Sequence, residues 1–314
     1  MRTSDIIPQR WISVVAICII NDGKPGHLNQ SLGLAEALCR LRPDIVIQEV
    51  TPLARGTALW TWLTGRLPAG VLPDGLGVPP ALVLGAGHAT HLSLLALKRA
   101  WQVPGVVLMR PSLPLGCFDL CLMPGHDAPP ARDNVIATRG ALNRMRPGQK
   151  QRGRGVILIG GPSRHSDWDE TMLLAQLERI LVADDTRWCM TSSRRTPAST
   201  EQRLAALPGV EFVPASETAR DWLPRQLAGA SACWVTEDSV SMVYEALTAG
   251  CAVGTLKVPG QKGNRLHKGL QQLADAGLVT PYDGWRGETL RAPASGFDEA
   301  GRCAKELLAR GWLK

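Results

Sequence analysis

Hydrophobic positions along the chain switch repeatedly between two periods. "WISVVAICII", residues 11–20, is a run of β-branched and apolar residues that reads as a buried strand, and in "SLGLAEALCRL" Leu32, Leu34, Ala35, Leu38 and Leu41 recur at helical spacing. The same alternation predicts further strands over 45–50, 81–85, 105–109, 120–123 and 134–138, and helices after Asn29 and over 57–67 and 90–101. "RMRPGQKQRGRG", residues 144–155, is basic and glycine-rich without apolar periodicity, and reads as a linker. The pattern then restarts with the strand "GVILIGG". Strands follow at 186–191, 211–213, 232–236 and 252–256, with helices over 169–182, 200–207, 219–228, 239–249 and 265–276 and a last one over 297–313.

Strands alternating with helices argue for an α/β protein with parallel sheets and crossover helices. The expected organisation is two Rossmann-like domains, 1–145 and 146–296, their parallel sheets facing across a cleft. Residues 297–314 form a C-terminal helix free to cross back to the first domain. At 314 residues the chain is long enough for two real cores, and no apolar run reaches the length of a membrane span. Pro8 and the polar "NDGKPG" do not fit a signal sequence and its cleavage site, so the N-terminal apolar run reads as strand one of a cytosolic protein.

Charge adds a bias. Residues 1–150 carry 15 Lys+Arg against 9 Asp+Glu, while the remainder carry 20 against 19. A basic first half points to an anionic partner there (lipid, phosphorylated glycan or nucleic acid), with plain solubility as the alternative. Nucleic acid ranks low because no basic stripe is interleaved with aromatics. The eight cysteines are scattered without a CxxC pair, and Cys117 to Cys121 lacks a second pair, so buried reduced thiols and no metal site are expected.

Five segments following predicted strands carry candidate chemistry. In "NDGKPGHLNQ", Gly23 and Gly26 allow a tight turn and close approach to a ligand. His27, with Asp22 as a lesser candidate, is placed to act as a general base, and Asn29 and Gln30 complete the loop; capping of the helix by His27 or Asn29 is the alternative. In "LGAGHATHLSLLALKRA", His88 and His91 lie three apart without a companion carboxylate. His88 is a ligand-contact candidate, Thr90 a helix cap, and His91 reads best as a satisfied core residue. "IGGPSRHSDW" offers Gly160, Gly161, Ser163 and Arg164, and "TSSRRTP" offers Ser193, Arg194 and Arg195. Free N–H groups, hydroxyls and guanidinium groups from adjacent strand ends would converge on a diphosphate. In "VTEDSVSMVYEALTAG", Ser239 and Ser241 sit at a helix start, where phosphates bind. Glu245 follows Ser241 by one turn, suited to ribose hydroxyls; an ordinary helix surface is the alternative for Glu245 alone.

The last three segments together imply a nucleotide diphosphate on the second half and the other reactant on the first. That is the layout of the GT-B glycosyltransferase architecture. The reading is a metal-independent enzyme that moves a sugar from a nucleotide-diphosphate sugar to a cell-envelope lipid or glycan at the cytoplasmic membrane face. His27, or less favourably Asp22 or His88, would take the acceptor proton. No further cofactor is expected. Glu237 and Asp238 are adjacent, so their side chains diverge and form no metal-binding pair. Two alternatives keep the fold: sugar epimerisation with His165 and Glu237 as acid and base, and a non-enzymatic adaptor that recruits a protein.

"NDGKPGHLNQSLGLAEAL", "GGPSRHSDWD", "SSRRTP" and "VTEDSVSMVYEAL" resemble hallmark segments of the elongated-mitochondria (Elm-type) mitochondrial fission family, including its bacterial members. The resemblance spans residues 14 to 283 and is specific in combination. It implies a GT-B-like fold. The plant member is associated with recruiting a dynamin-related protein to mitochondria, and bacterial members are often labelled nucleoside-diphosphate-sugar epimerases. The resemblance transfers no catalytic residue, so the site residues rest on the loops.

One stretch bears on location. "TALWTWLTGRLPAGVLP", residues 57–73, places Leu59, Trp60, Trp62, Leu63 and Leu67 near Arg55 and Arg66. Trp and Leu with flanking Arg suit a helix lying on an anionic membrane, with Trp60 and Trp62 as the contact; a helix packed into the core fits the same pattern.

Overall fold

The computed structural model describes residues 14–70, 79–163, 166–219, 221–260 and 265–313. In chain order the elements are β1 (Val15–Ile20), α1 (Pro25–Leu41), β2 (Ile45–Val50), α2 (Arg55–Thr64), β3 (Pro80–Ala86), α3 (His91–Trp101), β4 (Gly105–Leu108), β5 (Leu120–Pro124) and β6 (Val135–Thr138). They continue with β7 (Gln151–Leu158), α4 (Glu170–Leu181), β8 (Arg187–Thr191), α5 (Ala198–Ala205), β9 (Val210–Val213), α6 (Trp222–Gly229), β10 (Ala230–Thr236), α7 (Val240–Thr248), β11 (Ala252–Leu256), α8 (Arg265–Asp275), β12 (Val279–Pro281) and α9 (Glu299–Ala309). Among the described residues no helix is long and apolar enough to cross a membrane.

The chain divides into two compact units. The described parts of Met1–Leu122, Arg132–Ile136 and Gly301–Lys314 form one; Met123–Ala131 and Ala137–Ala300 form the other. Each is built on a six-stranded sheet, ordered β2-β1-β3-β4-β5-β6 in the first and β12-β11-β10-β7-β8-β9 in the second. The registered pairs within them are parallel. Read from β9, the second order is that of a dinucleotide-binding sheet, with its reversal between β7 and β10. In the first sheet the reversal lies between β1 and β3. Ligand crevices open at such reversals, beyond the carboxyl ends of the strands.

The strands are apolar on both faces because helices cover both. All six residues of β1 are buried. In the second unit Val156 and Leu158 join Cys233 and Val235 in a core beneath α7 and α8, while Ile157 and Ile159 join Met190 and Trp234 in a core beneath α4. Successive side chains of one strand thus serve two cores, which is why a continuous apolar run, rather than an alternating one, marks these strands.

Two indoles of the second core need space across the ladder. Trp234 is paired in register with Gly254, and Trp188 with Gly155. A Cβ on either glycine would stand inside its partner's six-membered ring. Trp234 also meets Tyr282 and Trp285 edge-on, with Arg179 over both of those rings.

Several boundaries differ from the sequence reading. Residues 151–155, assigned to a linker, form the start of β7, because Gln151 and Gly155 pair with β10 whatever their polarity. The short β12 carries no strand signal of its own and exists by pairing with β11. Helix α1 begins at Pro25 rather than after Asn29, since proline at the first helical position has its dihedral already set. The predicted start of the first strand, residues 12 and 13, lies outside the described residues.

Gly254→Ala is expected to lower stability by about 1–3 kcal/mol through overpacking against Trp234. The check is a chemical-denaturation midpoint; an unchanged midpoint would contradict this packing.

Candidate functional site

Polar side chains gather at both sheet reversals. In the first unit the turn after β1 is held by its own side chains. Gly23 N–H donates to Asn21 Oδ1 (2.9 Å) and Lys24 N–H to Asp22 Oδ1 (3.2 Å), two local turns that Asn and Asp favour. Gly23 has φ +78°, which an L side chain adopts only with strain. Asp22 Oδ2 then lies 2.9 Å from His27 Nδ1. The carboxylate is almost wholly buried and the imidazole one-fifth exposed. On the other side of the reversal, Gly87 leaves room for the His27 ring, which a Cβ at that position would strike.

The candidate residues of this unit separate. Asp22, Gly23 and His27 come together. Gly26, His27, Asn29 and Gln30 belong to the first turns of α1 rather than to a loop. Its cap position is Lys24, without a side-chain cap bond, so neither His27 nor Asn29 caps it. His88 is exposed in a short 3-10 turn, His88–Thr90. His91 is turned into the core, its Nδ1 3.1 Å from Ser112 Oγ and its ring edge-on to Phe118. Burial, with His88 nearby, pushes its pKa below the ordinary imidazole value. Its Nε2 has no partner among the described residues, so the expected fully satisfied core histidine is satisfied at one nitrogen. Thr90 stands at the cap position of α3 without capping it; its hydroxyl donates back to Gly87 O (2.8 Å).

In the second unit three loops are tied around Asp238. Gly161 N–H donates to Asp238 Oδ2 (3.0 Å), and Arg195 Nη2 donates to the same oxygen (2.7 Å). Arg195 Nη1 also donates to the carbonyls of Gly161 and Pro162. Gly160 N–H donates to Thr236 Oγ1 (2.7 Å). The "SSRRT" turn is internally closed by Ser193 N–H donating to Thr196 Oγ1 (2.8 Å). A Cβ on Gly160 would collide with the Asp238 carboxylate, and one on Gly161 with the Arg195 backbone.

This corrects the reading of the glycine pair. The N–H groups of Gly160 and Gly161, taken as free donors for a diphosphate, are both engaged inside the protein, and Arg195 is held by Asp238. Arg194 is exposed and without a hydrogen bond among the described residues, and Ser239 and Ser241 stand at the start of α7, whereas Ser193 Oγ is bonded to Thr196 and Arg195 within its own turn and Ser163 N–H donates to Ser166 O. A helix start adds unpaired N–H groups and a partial positive charge. Glu245 is half-buried one turn on. Arg164 and His165 lie outside the described residues.

Asp238 was missed as a site residue. Its side chain is wholly buried, and Oδ1 has no partner among the described residues. The only sequence signal was an acidic residue just before a helix start, which reads equally as a cap. Removing Arg195 would leave this carboxylate buried with a single N–H donor. Arg195→Met is expected to cost about 3 kcal/mol, whereas Arg194→Met should stay within about 0.5 kcal/mol; paired denaturation curves check the contrast.

Glu237 faces elsewhere, as its adjacency to Asp238 implies. Burial and the neighbouring Asp283 push its carboxyl up to about 7, while Lys257, the Thr255 hydroxyl and the Val258 N–H oppose the shift. Lys257 is itself bonded to Asp283 at 2.6 Å. Between the ordinary value of 4.5 and about 7 only the folded state keeps this proton, so its contribution to stability is complete below the window and is lost as pH rises through it. Glu237→Gln should therefore gain on the native protein by up to about 3 kcal/mol between pH 4.5 and pH 8. Melting temperatures of both across that range test this; parallel curves would contradict it.

The sequence model of the mitochondrial fission ELM1 family matches residues 25–311. A search of curated proteins finds no match. Among solved structures, a candidate UDP-N-acetylglucosamine 2-epimerase from Listeria monocytogenes aligns with a TM-score of 0.60 at 10% identity, covering 94% of this chain and 95% of that one. The E. coli heptosyltransferase WaaC with ADP aligns at 0.48 and 11% identity, covering 95% and 100%. The UDP-GlcNAc 2-epimerase from Neisseria meningitidis bound to UDP-GlcNAc aligns at 0.47 and 13%, covering 95% and 98%. At such identities the likeness is one of fold, and the fold is GT-B-like.

Proposed function

The chain belongs to the mitochondrial fission ELM1 family, and we propose that it is a glycosyltransferase that takes a sugar from a nucleotide-diphosphate donor to a lipid or glycan acceptor of the cell envelope. The observation that carries this reading is the convergence of three donor-bearing loops at the β7–β10 reversal, pinned by Asp238. Arg194, Ser163, Ser193, Ser239 and Ser241 bind the diphosphate, with Arg164 on the same loop as Ser163, and Glu245 accepts from the ribose hydroxyls. The guanidinium and the helix start offset the charge that grows on the departing nucleoside diphosphate.

His27 serves the acceptor. With Nδ1 against Asp22, the neutral tautomer that donates from Nδ1 leaves Nε2 as the basic nitrogen, and Asp22 stabilises the imidazolium once it forms. The acceptor oxygen attacks the anomeric carbon as its proton passes to His27. The bond from that carbon to the diphosphate oxygen breaks, and the nucleoside diphosphate leaves with the electron pair.

Epimerisation is the second reading, favoured by one observation. A carboxyl pushed up to about 7, Glu237, lies next in sequence to Asp238 and is able to give and take a proton near neutral pH. It predicts a changed sugar without any added acceptor.

Thermal-shift titration with UDP, GDP, ADP, dTDP and CMP and their sugar conjugates tests the donor site. One of them should raise the melting point, as about 2.7 kcal/mol does at a hundredfold excess over Kd, and Glu245→Ala and Arg194→Ala should each weaken that shift. His27→Ala should keep the shift and lower acceptor-dependent release of nucleoside diphosphate by about 100- to 10,000-fold. No shift with any nucleotide at millimolar ligand would remove the enzyme reading and leave the adaptor.

A further inference from the structure

Helix α2 presents an apolar face that is left exposed among the described residues. Ala58 and Thr61 are buried, and the helix packs on α3. Leu59, Trp60, Trp62 and Leu63 occupy a contiguous arc away from those two and are exposed at 47, 46, 40 and 60%. The core-helix alternative therefore fails for the four largest apolar side chains of α2. Two indoles and two leucines on one short helix are well beyond the scattered apolar residues of an ordinary surface.

What surrounds the arc decides what it fits. Arg55 opens the helix and Arg66 follows its end, both exposed. The exposed Arg99 of α3 brings its guanidinium beside Gly65, the residue that ends α2 in a left-handed conformation. The described residues from 51 to 70 and from 79 to 118 contain no Asp or Glu at all. A protein partner's surface mixes both signs of charge, whereas an anionic bilayer offers apolar depth beneath a single-signed layer. Indoles settle at that boundary, where the ring is apolar and its N–H meets the headgroups, and arginines above it pair with phosphates.

We infer that α2 is a membrane-docking helix: Leu59, Trp60, Trp62 and Leu63 enter the headgroup–acyl boundary of an anionic bilayer while Arg55, Arg66 and Arg99 bind lipid phosphates. The inference stands whether or not the second unit holds a nucleotide, because no residue of that site takes part. Its chemistry is that of a peripheral contact, reversible and dependent on both apolar area and lipid charge.

The full chain is floated with vesicles of phosphatidylcholine alone and with vesicles of phosphatidylcholine and phosphatidylglycerol in equal parts. Binding is expected to the second and to fall on adding salt. Trp60→Ala/Trp62→Ala should lower the partition coefficient by more than about tenfold, and Arg55→Gln/Arg66→Gln by about 30-fold. These side chains are exposed, and an unchanged circular-dichroism melt confirms that each variant folds. Equal binding to both vesicle types, equal binding by the tryptophan variant, or no binding to either would overturn the inference. So would a dimer of the native chain in gel filtration that the tryptophan variant abolishes without any lipid binding, since the face would then belong to a second copy.

Discussion

A carboxylate buried at a sheet reversal organises the second unit. Asp238 sits where strand order turns back, and its side chain has no exposure to water. A polar group so placed must be hydrogen-bonded or its burial would be costly. It is met by the guanidinium of Arg195 from the loop after β8 and by the N–H of Gly161 from the loop after β7. Three connections that share no secondary structure are thereby fixed to one point. The position of every exposed donor nearby follows, including Arg194, which stands beside a residue it cannot replace.

The first unit repeats the device with another partner. Asp22 is also buried at a reversal, and it too closes a turn with one oxygen while the other holds a side chain. That side chain is an imidazole instead of a guanidinium. The difference sets what each locus is able to do. Arg195 also donates to the Gly161 and Pro162 carbonyls, so the Arg195–Asp238 pair binds three loops to one another. His27 stands in the first turn of α1 with its ring one-fifth exposed, so the His27–Asp22 pair presents an imidazole edge rather than closing one loop on another.

Much of this architecture was legible in the sequence. Long apolar runs bounded by glycine and polar turns marked the parallel strands, and helical periodicity marked the helices, because burial on two faces and burial on one stripe leave different patterns. Strand order was not legible: nothing in "GVILIGG" or "ACWVT" says that β7 and β10 are neighbours, yet the reversal between them creates the site. Gln151–Gly155 looked like linker because backbone pairing, which leaves no mark on side-chain polarity, made it strand. In the first unit the glycine-rich context singled out His27 and Asp22 only as alternative bases; that the two touch is evident only in the fold. Asp238 was not, since its importance comes from Arg195, 43 residues away in sequence and brought close only by the fold.

Glycine was the most informative residue and the easiest to misread. In a loop after a strand it suggests room for a phosphate, but the spaces at these positions are filled from within. Gly87 admits the His27 ring, Gly160 the Asp238 carboxylate, and Gly155 and Gly254 the indoles of Trp188 and Trp234. All four report a close approach, as the absence of a Cβ requires, and in all four the approaching group belongs to the protein. Near the second reversal the N–H groups of Gly160 and Gly161 are engaged within the protein. Beside them stand the exposed Arg194 and the start of α7, where positive charge and a helix N-terminus favour negative charge.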